Sequence, residues 1–277
     1  MANRVISRTT KGYNSTITDE LNIDNEGVKD IIWNDQHTEI INLHFTRLIQ
    51  PIAIAADTNI DDTSVSITAA SAPVVGNLVC FKEYTAFYQG YILSVAGTGP
   101  YTVTLDTPLD FAFTTAGGCS ERSEDMNVDG SVTPVEFSVS PANLADGVEW
   151  DITRIIGTML DNTSMDDGKF GGGTALTKGI VLRYSDGITK NIFNAKTNGD
   201  LAEQMYDVQY ATNSPAGLYG LRFRRSFAGL DKNGVVIRLD AARGDTLSII
   251  IQDNLTGLVE FHCVVQGHRT DSKIEPQ

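Results

Sequence analysis

Cysteine, histidine and positive charge are all scarce in this chain. Its 277 residues hold 3 cysteines and 4 histidines, and 21 lysines and arginines stand against 35 aspartates and glutamates. Cys80, Cys119 and Cys263 are odd in number and lack CxxC spacing, which leaves no basis for a disulfide framework or a thiolate zinc site. They read as reduced, buried thiols that pack like small hydrophobes. A net charge of -14 repels phosphate backbones and anionic headgroups, so no direct nucleic-acid partner and no membrane surface is expected. No stretch approaches the roughly 20 apolar residues that cross a bilayer. Met1 to Thr10 has no apolar core of signal-peptide length, and the expectation is a soluble chain made in a cytoplasm. Nothing resembling GxSxG or GK[ST] occurs, so neither a nucleophile elbow nor a phosphate loop is nominated.

What the chain does have is a β rhythm. Between Thr177 and His268, short runs rich in β-branched and aromatic residues (GIVLRY, GLRFRRSF, GVVIRL, TLSIIIQ, LVEFHCVV) alternate with turn formers such as Ser185-Asp186-Gly187 and Lys232-Asn233-Gly234. About eight such strands predict a jelly-roll-like β-sandwich. Only Asp200 to Tyr206 departs from this pattern, favouring one or two helical turns with Asp200 near the N-cap. A second unit from about Pro51 contains SVSIT, GNLVCFKEY, FYQGYILSV and YTVTLD, which suit a small β-barrel of four or five strands. Thr107-Pro108-Leu109-Asp110 ends its last clear strand, because proline cannot donate to a ladder. Gly117 to Asp129 is acidic and poor in apolar residues, and reads as the linker, with the boundary near Ser123.

The fold class is therefore mainly β: residues 1-50 an N-terminal arm with a helix, 51-122 a small barrel, 123-268 the sandwich, and 269-277 a flexible polar tail. Within the arm, Val28 to Leu48 is helix-compatible, with Ile31, Ile32, Trp33, Ile40, Ile41 and Phe45 supplying an apolar face. An arm of that kind buries its face on a neighbouring subunit, so these six residues are the candidate oligomer interface.

Candidate chemistry is thin. His37 and His44 are one heptad apart, but nothing completes a metal site with them, and His262 reads as a half-exposed strand residue opposite in facing to Phe261 and Cys263. Asp57-Thr58-Asn59-Ile60-Asp61-Asp62 begins like a calcium loop and then fails, with Asp62 where glycine belongs and Thr68 where a bidentate glutamate belongs. The loop from Asp161 to Gly168 has side-chain oxygens without a ligand order, and Gly171-Gly172-Gly173 reads as a flexible loop. Arg243-Gly244-Asp245 spells an adhesion tripeptide but sits where a turn before TLSIIIQ is needed. Strand alternation puts Arg222 and Arg224 on one face, opposite Leu221, Phe223 and Arg225, and on so acidic a molecule these arginines are expected to meet carboxylates. No catalytic residue, cofactor or metal is predicted.

Taken together, the polar arm, the block GNLVCFKE…YILSVAGTGPYTVTLDTPLD and the block GIVLRYSDGITKNIFNAKTNGDL…GLRFRRSFAGLDKNGVVIRLDAARGDTLSIIIQDNLTGLVEFHCVVQGH resemble virion structural proteins of tailed bacteriophages. The LDTPLD ending resembles small barrel modules of phage tail and neck proteins, and the C-terminal half resembles collar, neck or tail proteins. The resemblance covers most of the chain and matches no residue to a defined functional position. It implies a non-enzymatic virion part, present in several symmetric copies, whose partners are itself and other virion proteins. A collar or neck protein at the head-to-tail junction is the leading expectation, with tail, baseplate or capsid decoration behind it. A jelly roll that recognises host glycans is the alternative from another class, with Trp150 and tyrosines such as Tyr184, Tyr206, Tyr210 and Tyr219 as stacking faces.

Overall fold

Alternating side chains are carried into a computed structural model as antiparallel strands throughout. It describes residues 38-163, 175-204, 207-211, 217-227 and 237-271. In chain order the strands are β1 (Thr38–His44), β2 (Arg47–Ile54), β3 (Ser64–Ala69), β4 (Leu78–Glu83), β5 (Ala86–Ala96), β6 (Tyr101–Leu105) and β7 (Gly118–Ser123). They continue as β8 (Val135–Val139), β9 (Val148–Asp161), β10 (Ile180–Ser185), β11 (Thr189–Ala195), β12 (Asp207–Ala211), β13 (Tyr219–Ser226), β14 (Ile237–Asp240), β15 (Thr246–Ile251) and β16 (Glu260–Asp271). Among the described residues one helix, α1 (Asn198–Gln204), follows β11. Thr197 caps it, accepting the N–H of Asp200 at 3.0 Å while the Asp200 carboxylate accepts the N–H of Thr197 at 3.0 Å.

Strands β2 to β7 close a barrel in the order β2-β3-β6-β5-β4-β7, with β7 pairing back onto β2. Closure removes the unpaired edges that an open sheet of this size would expose. Every second residue points inward, so Ile52, Ile54, Val65, Ile67, Val79, Phe81, Val103 and Leu105 fill the interior. Phe81 stacks on Tyr88 at 5.8 Å between ring centroids and meets Phe113 at 5.4 Å. The acidic segment that begins like a calcium loop is tied by hydrogen bonds to residues 109-115. Thr58 and Phe113 exchange backbone and hydroxyl hydrogen bonds, and Asp61 and Asp62 exchange backbone bonds with Leu109. Leu109 and Phe113 are thereby held fully buried. The prediction of four or five strands undercounts this barrel because β7 reads as linker. Its Gly118-Cys119-Ser120-Glu121 run is polar, yet Glu121 is buried by side-chain and backbone donors rather than by apolar contact.

The second unit consists of two sheets. One has the order β1-β16-β9-β13-β12, with β14 pairing the first part of β9 on the edge that β13 occupies further along. The other has the order β11-β10-β15-β8. Buried side chains from both, among them Phe137, Ile155, Leu182, Phe193, Phe223, Leu247 and Phe261, form one hydrophobic cluster. At about 25 cal/mol per Å2 of apolar surface removed from water, a shared core of this kind supplies the dominant favourable term. Gly157 on β9 makes it possible for Phe223 to cross the strand closely: a Cβ there would lie 2.0 Å from the Phe223 ring.

Two boundaries differ from the sequence-based expectation. Residues 38-48 are not helical: β1 runs antiparallel to β16 along its whole length, and Arg47 already belongs to β2 of the barrel. The pairs Ile40/Ile41 and Leu48/Ile49 satisfy helical spacing, but β-branched side chains also suit a pleated edge, and partner strands were available. At the other end β16 extends to Asp271, so paired strand reaches past the predicted start of the tail. The acidic stretch after β7 runs along the sandwich, where Met126 is fully buried and its N–H bonds to Phe261 O at 3.1 Å.

Candidate functional site

The chain crosses between barrel and sandwich at residues 45-46 and again after Ser123, and both crossings are held by hydrogen bonds. Phe45 N bonds to Cys263 O at 2.9 Å, and Thr46 exchanges backbone bonds with Ser138 of β8. Arg122 of the barrel donates Nε to Thr46 Oγ1 at 2.6 Å and Nη2 to Thr46 O at 3.0 Å. Lys82 reaches from β4 to the carbonyls of Ser140 and Ala142 at 2.8 and 3.0 Å. Phe87 of β5 meets Trp150 of β9 edge-on at 5.1 Å, an aromatic contact of about 0.5–1.5 kcal/mol beyond its buried area. The two units are thus fastened by polar and aromatic contacts on both sides of the chain crossing.

A titratable cluster sits on this seam. Glu124, just after β7, pairs with His44 Nδ1 of β1, accepts the Tyr91 hydroxyl of β5, and lies 3.6 Å from His262 Nδ1 of β16. His262 Nε2 in turn lies 3.5 Å from Glu260. Burial alone would push the Glu124 carboxyl up, but the hydrogen bonds from His44 and Tyr91, with the fields of His44 and His262, outweigh it and hold the carboxyl below its ordinary range. Tyr91 is shifted upward by burial and by the same carboxylate. In sequence His44 and His262 belong to different regions; the β1–β16 ladder brings them to one carboxylate. Among the described residues no group of three or more histidine, cysteine or acidic side chains has the geometry to hold a metal ion.

A second feature lies on the barrel wall, where Leu48 and Ile49 of β2, Val74 and Val75 before β4, and Leu93 of β5 are exposed apolar side chains. Val74 and Val75 are 56% and 59% exposed, and Leu93 56%. Buried Glu121 holds the Val74–Val75 loop in place, accepting Val74 N at 2.9 Å, Asn77 Nδ2, and Gln50 Nε2 at 2.7 Å. Gln50 is itself tied to the Ser71 backbone through both ends of its amide. Gly76 N bonds to Ile92 O at 2.9 Å, fixing the loop against β5. Exposed apolar side chains of this kind are candidate points of protein contact.

Of the predicted interface residues, Ile31, Ile32 and Trp33 lie outside the described residues. Ile41 and Phe45 are buried in the chain's own core, and Ile40 is 41% exposed. The apolar face assigned to Ile41 and Phe45 is therefore already occupied, because strand pairing turns alternate residues inward. His37 also lies outside the described residues, as does most of the loop from Asp161 to Gly168. Trp150 is buried rather than a stacking face, and Tyr184 donates its hydroxyl to Arg238 O. The adhesion tripeptide is a locked turn: Gly244 has φ of 66°, and buried Asp245 accepts Arg243 Nη2 at 2.6 Å and Asp240 N at 2.9 Å. Leu221 and Phe223 are buried while Arg222 and Arg224 are exposed, and the Arg225 guanidinium stands 5.1 Å over the Phe227 ring. The three thiols are free, and burial pushes each upward, away from thiolate.

No protein-family model matches the chain, and no curated protein or solved structure matches it.

Proposed function

We propose that this chain is a non-enzymatic structural component of a tailed-bacteriophage virion, a collar or neck protein at the head-to-tail junction that assembles in several symmetric copies. The observation that carries the assembly part of this reading is the exposure of the apolar side chains Leu48, Ile49, Val74, Val75 and Leu93 on the barrel, with the Val74–Val75 loop held by Glu121. Its virion assignment rests on the resemblance of the barrel and C-terminal blocks to phage structural proteins. A jelly-roll-like sandwich is part of this proposal, and the changes of sheet at β8→β9, β9→β10, β11→β12, β14→β15 and β15→β16 support it.

Acidic residues support a structural rather than a catalytic role, since many are engaged as acceptors of backbone N–H groups. Asp253 takes those of Thr177, Lys178 and Gly179, Asp57 that of Thr115, and Asp62 that of Asn59. The net charge of -14 suits a part outside the DNA channel, or one lining a passage where DNA slides without adhering.

Light scattering of the purified chain at several concentrations tests the assembly. A defined oligomer that Val74→Asp with Val75→Asp dissociates is expected; a native monomer at every concentration, with no incorporation into particles, would sink the proposal. Immunogold labelling of particles then locates it, gold at the neck being expected and gold at the baseplate reassigning it to the tail. The arm is tested by removing residues 1-37 only, because a longer deletion strips β1 from the sandwich and Arg47 and Leu48 from the barrel.

A further inference from the structure

A cavity of about 450 Å3 opens on the seam, walled by β4, β5 and β7 of the barrel and by the segments around β8 and Trp150 of the sandwich. That volume falls within the range of small-molecule sites, roughly 300–1,000 Å3. Among the described residues its lining includes Lys82 and Arg122 and not one aspartate or glutamate. In a chain with 35 acidic residues against 21 basic ones, two cations without a facing carboxylate invert the prevailing charge.

Three lining side chains, Lys82, Arg122 and Trp150, bring N–H donors to the cavity. Lys82 satisfies two of its three N–H groups on the Ser140 and Ala142 carbonyls. Arg122 uses Nε and Nη2 on Thr46. Trp150, which borders the cavity and is 1% exposed, has an indole N–H with no acceptor among the described residues. A buried donor left without an acceptor is costly, so the Trp150 N–H favours an occupant that carries an acceptor. Beside these donors stand the Phe87 ring, with Lys82 Nζ 5.6 Å from its centroid, and the face-to-edge Phe87–Trp150 pair.

We propose that this cavity binds a small organic acid, a carboxylate or phosphate monoester with an aromatic or apolar body, its acid head placed by Lys82 and Arg122 and its body against Phe87 and Trp150. This assignment is independent of the virion reading. Burial first, and then the neighbouring Arg122 charge, lower the Lys82 amine to about 8. An anion beside it restores the charged form, so binding near pH 8 takes up a proton. The ligand also bridges barrel and sandwich, and raises the melting temperature of both together.

Isothermal titration calorimetry of the full chain at pH 8, in two buffers of different ionisation enthalpy, tests this with inorganic phosphate, phenyl phosphate and benzoate as probes. Saturable binding of phenyl phosphate or benzoate is expected, at least about tenfold tighter than inorganic phosphate, with net proton uptake. The tighter of the two aromatic probes identifies the acid head. Lys82→Met and Arg122→Gln each weaken binding about tenfold or more, and Trp150→Phe, which keeps a ring and removes the N–H, about threefold. Absence of saturable heat up to about 10 mM of all three probes overturns the proposal. So does unchanged affinity in folded Lys82→Met and Arg122→Gln variants, and inorganic phosphate binding as tightly as phenyl phosphate overturns the place given to the aromatic wall.

Discussion

Replacing Glu121 by glutamine changes one atom and reverses one hydrogen bond. The carboxylate accepts Val74 N and Asn77 Nδ2 on one oxygen and Gln50 Nε2 on the other, the last of these fully buried at 2.7 Å. A glutamine at this position keeps an acceptor for the loop but sets its NH2 against the Gln50 NH2. Gln50 cannot turn over to meet it freely, since Ser71 N bonds to its Oε1 at 3.2 Å and its Nε2 bonds to Ser71 O at 3.1 Å. Losing a charge-assisted bond and leaving a buried donor opposed costs about 2–3 kcal/mol, and Glu121→Ala, which strands all three donors, about 3–5 kcal/mol. At roughly 2–4 °C per kcal/mol, Glu121→Gln lowers the melting temperature by about 4–12 °C. The double variant Gln50→Glu with Glu121→Gln restores an acceptor opposite a donor and gives up only the Ser71 O contact, so it regains about half of the loss. Differential scanning calorimetry measures these shifts, and hydrogen exchange at the Val74 amide reports whether the loop has been released. Glu121→Gln within about 0.5 kcal/mol of the native chain would refute the view that this carboxylate holds the exposed valines in place.

Three further outcomes are expected. Gly157→Ala drives a Cβ into the Phe223 ring and costs about 1–3 kcal/mol or more, and Phe223→Leu in the same chain recovers part of it, as read by urea unfolding. The Glu124 carboxyl is held below its ordinary value of 4.5, so its contribution is fully present above that pH and is lost as the pH falls through its folded value. Glu124→Gln therefore flattens the acid limb of stability below about pH 5, and an unchanged acid limb in melts at stepped pH values contradicts the cluster's role. Lys82 runs the other way: lowered from 10.5 to about 8, it binds fewer protons folded than unfolded between those values, so stability rises with pH across that window. Lys82→Met removes this slope in chemical denaturation between pH 8 and 10, and a persisting slope rules out Lys82 as its origin.

Local pattern carried the strand segments. YTVTLD and VEFSVS are strands because apolar residues at period two suit a pleated, half-buried surface, and TLSIIIQ is one because its β-branched run suits a strand buried on both faces. The Ser185-Asp186-Gly187 turn between β10 and β11 is legible for a similar reason: its residues prefer that backbone before any tertiary contact forms. Tertiary structure alone decided where the ambiguous segments went. Ile40-Ile41 satisfies both a helix and a strand, and only the free edge of β16 settles it as β1. Gly118 to Ser123 reads as linker because nothing local announces that Glu121 will find three donors contributed by Gln50, Val74 and Asn77. His44, Tyr91, Glu124 and His262 come from four places in the chain, and their meeting follows from ladder registers and the barrel–sandwich seam, which are long-range pairings. The cation-lined cavity is of the same kind. Sequence determines what each segment prefers within a few residues; which segments face one another, and so which charges share a site, is set by burial and strand pairing across the whole chain.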